Sequence, residues 1–242
     1  MATNPKRLCF VHVPKCGGTS LNEAFKKSVG ISSLSLRGVK IDAAKTMKEA
    51  KRKNMNTLAL RQEKLISKLQ NKRFRYVKGH VRCTSEVRAQ FEKDWVFVTV
   101  MRDPVKRWIS QYFFNLHKTN PHTKHDLALD EYLESDIART SGAIYLDFFT
   151  NGEDLTSDKA AKEAIANIEA FPLVGVLEKM DAFKARFKEI MGTELQTIGN
   201  RNTNPLSKDQ MKKQVSDAQM AKIREFCAPD LQVYEHFANA LK

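Results

Sequence analysis

Three basic side chains, Lys15, His80 and Arg102, each follow closely on a stretch of strand-like sequence. Leu8 to Val13 is a short run of β-branched and aromatic residues, as expected of a buried strand, and Pro14 ends it. Lys15-Cys16-Gly17-Gly18 then reads as a tight turn whose glycines accept positive φ and let backbone N–H groups approach a ligand. Thr19 and Ser20 open a helix with Leu21, Ala24 and Phe25 at helical spacing. A strand, a glycine turn with a lysine and a hydroxyl pair at a helix N-terminus make a cradle for phosphate-like anions. Arg102 carries a fork of donors suited to phosphate. His80 is of the residue type that most often serves as a general base near neutral pH.

The elements that must position these groups alternate between strands and helices. Strands are expected at Leu8 to Val13, Arg73 to Val77, Trp95 to Met101 and Phe171 to Val176. Trp95 to Met101, WVFVTVM, is the clearest buried one. Between the first helix and Lys40 the sequence reads as a Ser/Gly-containing connector. Asp42 to Asn71 is helical and very basic, broken near Asn54 to Thr57. Its lysines and arginines form either a solvated face or a surface that attracts an acidic acceptor. Helices are expected at Ser85 to Phe91, Val105 to His117, Leu127 to Asp136, Ser141 to Phe149, Asp158 to Glu169, Glu178 to Met191, Lys208 to Phe226 and Leu231 to Leu241. His117, His122 and His125 sit in or beside a polar loop without familiar metal-ligand spacing. This order predicts an α/β domain with a central, mostly parallel sheet. Ligands of such sheets bind at the carboxyl ends of the strands, which puts Lys15, His80 and Arg102 on one rim.

The common phosphate loop places its lysine after the glycines; here Lys15 precedes them. The order P-K-C-G-G-T-S after a strand resembles the 5′-phosphosulfate loop of sulfotransferases, which use 3′-phosphoadenosine-5′-phosphosulfate (PAPS) as donor. Val96 to Phe114, VFVTVMRDPVKRWISQYFF, resembles that family's 3′-phosphate-binding segment, with Arg102 and Ser110 in the Arg and Ser positions. Ser110 lies six residues beyond Pro104, roughly 9 Å along a helix. Tyr76 to Val81, YVKGHV, resembles the G-H-V segment of the heparan and uronyl 2-O-sulfotransferase branch, whose histidine is the base; a histidine that precedes it there is Lys78 here. Leu173 to Glu178 looks like a family strand, and Arg201 to Pro205 like a loop covering the donor.

The resemblance implies a single domain over residues 1–242 with a P-loop-like three-layer α/β/α fold. It implies in-line transfer of a sulfonyl group from PAPS to an acceptor hydroxyl, with 3′,5′-adenosine bisphosphate (PAP) as product and no metal. His80 would take the hydroxyl proton, and Lys15 would meet charge on the leaving oxygen. Gly17, Gly18, Thr19 and Ser20 would bind the 5′-phosphosulfate; Cys16 belongs to the same loop as a small turn residue. Arg102 and Ser110 would hold the 3′-phosphate, with a late contact from Arg201. The acceptor is expected to be a glycan or another hydroxyl-bearing substrate, acidic or neutral.

Composition sets the frame. The net charge of +13 implies an anionic partner of some kind. The four cysteines form no C-x-x-C pair, and Cys9 in a buried strand suits a reducing compartment. No apolar run is long enough to span a bilayer. A cytoplasmic enzyme is expected, or else the soluble part of an anchored one. Two other classes compete. A phosphate-loop kinase or NTPase would use Asp103 to bind magnesium, against the misplaced lysine and Pro104. A nucleic-acid-binding protein rests on charge alone and lacks a reading motif, so no nucleic acid is expected.

Overall fold

The computed structural model describes residues 7–31, 35–119, 121–195 and 208–240. In chain order the elements are β1 (Arg7–Val11), α1 (Gly18–Ser28), β2 (Gly38–Ile41), α2 (Ala43–Lys53), α3 (Thr57–Gln70), β3 (Tyr76–Gly79), α4 (Ser85–Phe91), β4 (Trp95–Met101), α5 (Pro104–His117), α6 (Leu129–Leu133), α7 (Asp136–Thr140), α8 (Ile144–Phe149), α9 (Asp158–Glu169), β5 (Leu173–Val176), α10 (Met180–Met191), α11 (Lys208–Lys213), α12 (Asp217–Phe226) and α13 (Ala228–Ala240).

The strands form one sheet in the order β2-β3-β1-β4-β5, and every pairing is parallel. Residues of β1 are buried on both faces, as a central parallel strand requires. Leu8 and Phe10 pack with Leu21 and Phe25 of α1 and Phe183 and Phe187 of α10. Cys9 and Val11 face the opposite layer, with Leu65 and Leu69 of α3, Ile168 of α9 and Phe237 of α13. The result is an α/β/α sandwich. A third apolar cluster lies beside it, built on Trp108, Tyr112 and Tyr132.

Local chemistry sets the boundaries. Asn54 turns left-handed at φ 51° to end α2, and the Asn56 side chain accepts from the Leu58 and Ala59 amides to start α3. Asp103 caps α5 by accepting from the Lys106 amide at 2.8 Å, with Pro104 in the first turn.

Three expectations change. β2 lies partly within the stretch read as a connector: four residues at a sheet edge, one of them Lys40, give little apolar signal. β3 ends two residues later than expected, so Lys78 is inside the strand. The helix expected at Leu127 to Asp136 gives way to α6 and α7, the one expected at Ser141 to Phe149 shortens to α8, and the one expected at Lys208 to Phe226 divides into α11 and α12, where Ser216 and Gln219 form a reciprocal cap.

Candidate active site

The order β3-β1-β4 sets the exits of β3 and β4 on either side of the turn that follows β1. The chain leaves β1 towards β2 on one side, whereas β4 connects to β5 on the other. This is the switch point at which open parallel sheets bind ligands.

The turn is held in an uncommon conformation. Lys15 has φ 66° and Gly17 φ 71°, both left-handed, a state that costs a lysine free energy. Gly17 precedes α1 and supplies no side-chain cap, and the first turn of α1 contains no acidic residue. The first helical amides therefore have no carboxylate from their own turn to receive them. Gly18 is small for another reason: a Cβ there would lie 1.7 Å from His12 Nε2. The helix thus starts at Gly18, one residue before the expected Thr19. Thr19 is exposed, Ser20 half-buried. The Cys16 thiol points inward, 3.6 Å from the Pro14 carbonyl and 3.9 Å from the Tyr145 hydroxyl, and burial pushes its pKa up to about 12. Only its backbone can serve a ligand.

Arg102 leaves β4 and donates from its guanidinium to the Lys15 carbonyl at 3.2 Å. The two residues are therefore in direct contact at the carboxyl end of the sheet. Tyr145 fixes the arginine's backbone: its hydroxyl accepts from the Arg102 amide at 2.9 Å and donates to the Arg102 carbonyl. Asp230, fully buried on α13, accepts from the Tyr145 amide at 2.9 Å, and burial pushes its carboxyl up to about 7. The Lys15 ammonium lies 3.7 Å from the centre of the Phe114 ring on α5. Ser110 is buried one turn before Phe114, on the same stripe of the helix. Burial, Arg102 and Lys118 together lower Lys15 to about 8. Among the described residues neither Lys15 nor Arg102 has an ion-pair partner, so two cationic groups meet without a salt bridge to either. Asp103, the candidate magnesium ligand, instead caps α5.

On the other side, His80 Nδ1 lies 2.6 Å from the His12 carbonyl oxygen. A carbonyl only accepts, so Nδ1 carries the proton and the neutral ring leaves Nε2 as the basic nitrogen. Burial dominates the lowering of His80 to about 4, reinforced by Arg61, Lys78 and Lys40. The ring is neutral at physiological pH. The His12 ring lies tilted against it with centres 4.5 Å apart, and His12 Nε2 is closed to solvent without a hydrogen-bond partner among the described residues. Arg61 of α3 donates to the His80 carbonyl at 3.2 Å and to the Ala43 carbonyl at 3.0 Å. At least this member of the basic helical region is a cross-link rather than a solvated charge. Lys78 donates from Nζ to the Gly18 carbonyl at 3.0 Å.

Lys15, Cys16, Gly17, Gly18, Thr19, Ser20, His80, Arg102 and Ser110 thus gather around the end of β1. Arg201 lies outside the described residues. Sequence reasoning missed His12, Tyr145 and the buried placement of Lys78. The alternation of β3 signals the last; nothing near Tyr145 in the sequence announces that it will hold Arg102. His125 is not simply in a polar loop, because its ring stacks with Tyr112 and Tyr132 at 5.1 and 4.5 Å. Among the described residues no group of three or more His, Cys, Asp or Glu side chains is placed to hold a metal ion, and no helix is long and apolar enough to cross a membrane.

A family model described as "Sulfotransferase family" matches residues 1–237. No curated protein matches the chain.

Proposed function

Because the chain belongs to the sulfotransferase family, whose members use PAPS as donor, we propose that it moves a sulfonyl group from PAPS to a hydroxyl of a carbohydrate acceptor, with His80 as base. The observation that carries this reading is the Arg102 guanidinium on the Lys15 carbonyl at 3.2 Å. It brings into direct contact the loop suited to the phosphosulfate end and the arginine suited to the 3′-phosphate end. The fit to a doubly anionic nucleotide is supported by two cations without an ion-pair partner among the described residues and by a helix start without an acidic residue.

PAPS, when bound, supplies the sulfonyl group, and PAP departs as the oxygen–sulfur bond to its 5′-phosphate breaks. The amides of Gly17, Gly18, Thr19 and Ser20 receive the 5′ end, assisted by the dipole of α1. Lys15 swings from the Phe114 ring to the leaving oxygen, where its charge counts most as negative charge develops. Arg102 and Ser110 fix the 3′-phosphate. His80 accepts the acceptor's hydroxyl proton on Nε2 as the new oxygen–sulfur bond forms. The His12 carbonyl holds the ring in that tautomer.

The test is transfer of label from radiolabelled PAPS to a panel of acceptor glycans. Lys15→Ala and His80→Ala are each expected to lower kcat by about 10²–10⁴-fold, the usual range for losing a positioned acid–base or charge-stabilising group. Full activity of either variant overturns the role assigned to that residue.

A further inference from the structure

A cleft of about 360 Å³ opens between α1 and the β2–β3 edge, lined by Thr19, Asn22, Lys26, Lys40, Tyr76 and Lys78, with Gly38 and Val39 also bordering it. Thr19, Asn22 and Lys26 form one stripe of α1, roughly 10 Å long at 1.5 Å per residue. Lys40 and Lys78 are register partners on adjacent parallel strands, so their side chains leave the same face side by side. Like charges so placed repel. Glu23 is in an ion pair with Lys26 at 3.6 Å and also accepts from Asn22. Lys78 is buried, and its ammonium bonds the Gly18 carbonyl. Lys40 is exposed. Burial first, then Lys40 and Lys26, lower Lys78 to about 8, a cost that a bound anion would reverse.

The cleft lies on a definite side of the donor loop. Arg102 and Ser110 belong to the β4 side of β1, whereas His80 and the cleft belong to the β3 side. An acceptor hydroxyl offered to His80 leaves the rest of its molecule to run from Thr19 down the stripe of α1. We infer that this cleft binds an anionic group of the acceptor, a carboxylate or a sulfate ester, on Lys26, Lys40 and Lys78. The inference rests on the transferase reading, and it makes the acceptor an acidic polymer or oligomer rather than a neutral one.

The experiment measures binding to PAP-saturated protein at about 0.15 M salt, where long-range charge effects are largely screened. The probes are hyaluronan (carboxylate only), dextran sulfate (sulfate only) and neutral dextran. At least one anionic probe is expected to bind tenfold or more tightly than dextran, and which one identifies the anion. Lys26→Ala/Lys40→Ala is expected to lose tenfold or more of that affinity. Lys48→Ala/Lys51→Ala, which removes two exposed lysines of α2, is expected to lose less than threefold. The dissociation constant for PAP in Lys26→Ala/Lys40→Ala should stay within about twofold of native, which also reports on folding. Equal losses in the two double variants indicate diffuse charge and overturn the inference. So do unchanged binding in Lys26→Ala/Lys40→Ala, absence of any anionic preference, or a PAP constant that moves tenfold, which would give the cleft to the donor. Failure of the native protein to bind PAP at all is read beforehand, and it counts against the transferase reading itself.

Discussion

The chemistry proposed for Lys15 and His80 rests on displaced ionisation. Both are shifted downward, chiefly by burial: His80 to about 4 and Lys15 to about 8. The signs give opposite limbs. His80 becomes a usable base as pH rises through about 4, rather than through the ordinary imidazole range near 6.5. Lys15 loses its charge as pH rises through about 8. The profile of kcat/KM, which reports the free enzyme, is therefore expected to hold a plateau across neutrality and to fall above about 8. Lys78 also titrates near 8, so the variant that assigns the limb is Lys15→Arg, whose guanidinium stays charged. The basic limb should move upward in Lys15→Arg; a limb that stays in place removes Lys15 as its cause. The sequence made Lys15, His80 and Arg102 legible because each follows a strand-like run. It did not show His12 as the residue that orients His80, because an apolar strand ending in histidine looks like any strand end. Nor did it show that Gly18 is needed for its missing Cβ rather than for a positive φ.

At the scale of elements, the site depends on a chain of contacts from the last helix to the end of β4. Asp230 on α13 accepts from the amides of Tyr145 and Leu146 on α8, and Tyr145 holds the backbone of Arg102. Arg107 lies fully buried nearby on α5, donating to the Gln111 side chain and to the Ser141 carbonyl. Removing the carboxylate leaves buried amides without acceptors, at about 1–3 kcal/mol for each unsatisfied group. Asp230→Ala is expected to lower stability by about 2–4 kcal/mol in denaturant unfolding. A change within about 0.5 kcal/mol, the size typical of surface substitutions, would show that the linkage does not carry the load assigned to it. Long apolar runs such as Trp95 to Met101 were readable as strands, and capped segments such as α5 were readable as helices. β2 was not, since a four-residue edge strand draws its identity from pairing with β3 rather than from its own composition. The short helices between 127 and 149 likewise take their boundaries from packing onto Trp108, Tyr112 and Asp230.

Over the whole molecule, a single all-parallel sheet organises the chemistry by side. Arg102 lies towards β4, His80 towards β3, and the Lys15 turn at the end of β1 between them, which is the arrangement the proposed 3′ grip, base and phosphosulfate loop require. The net charge of +13 would give the proposed anionic donor and acidic acceptor a favourable long-range field, while the local arrangement would decide where each is held. Family membership agrees with the loop order and the strand-to-helix segment from which the sulfotransferase resemblance was drawn. The central claim is that the Lys15 turn and Arg102 hold the two anionic ends of one nucleotide. Calorimetric titration of PAP in the presence of EDTA tests it most directly. The account predicts metal-independent binding that weakens at least tenfold in Arg102→Ala and in Lys15→Ala alike. Absence of PAP binding, or binding that both variants leave unchanged, would contradict it.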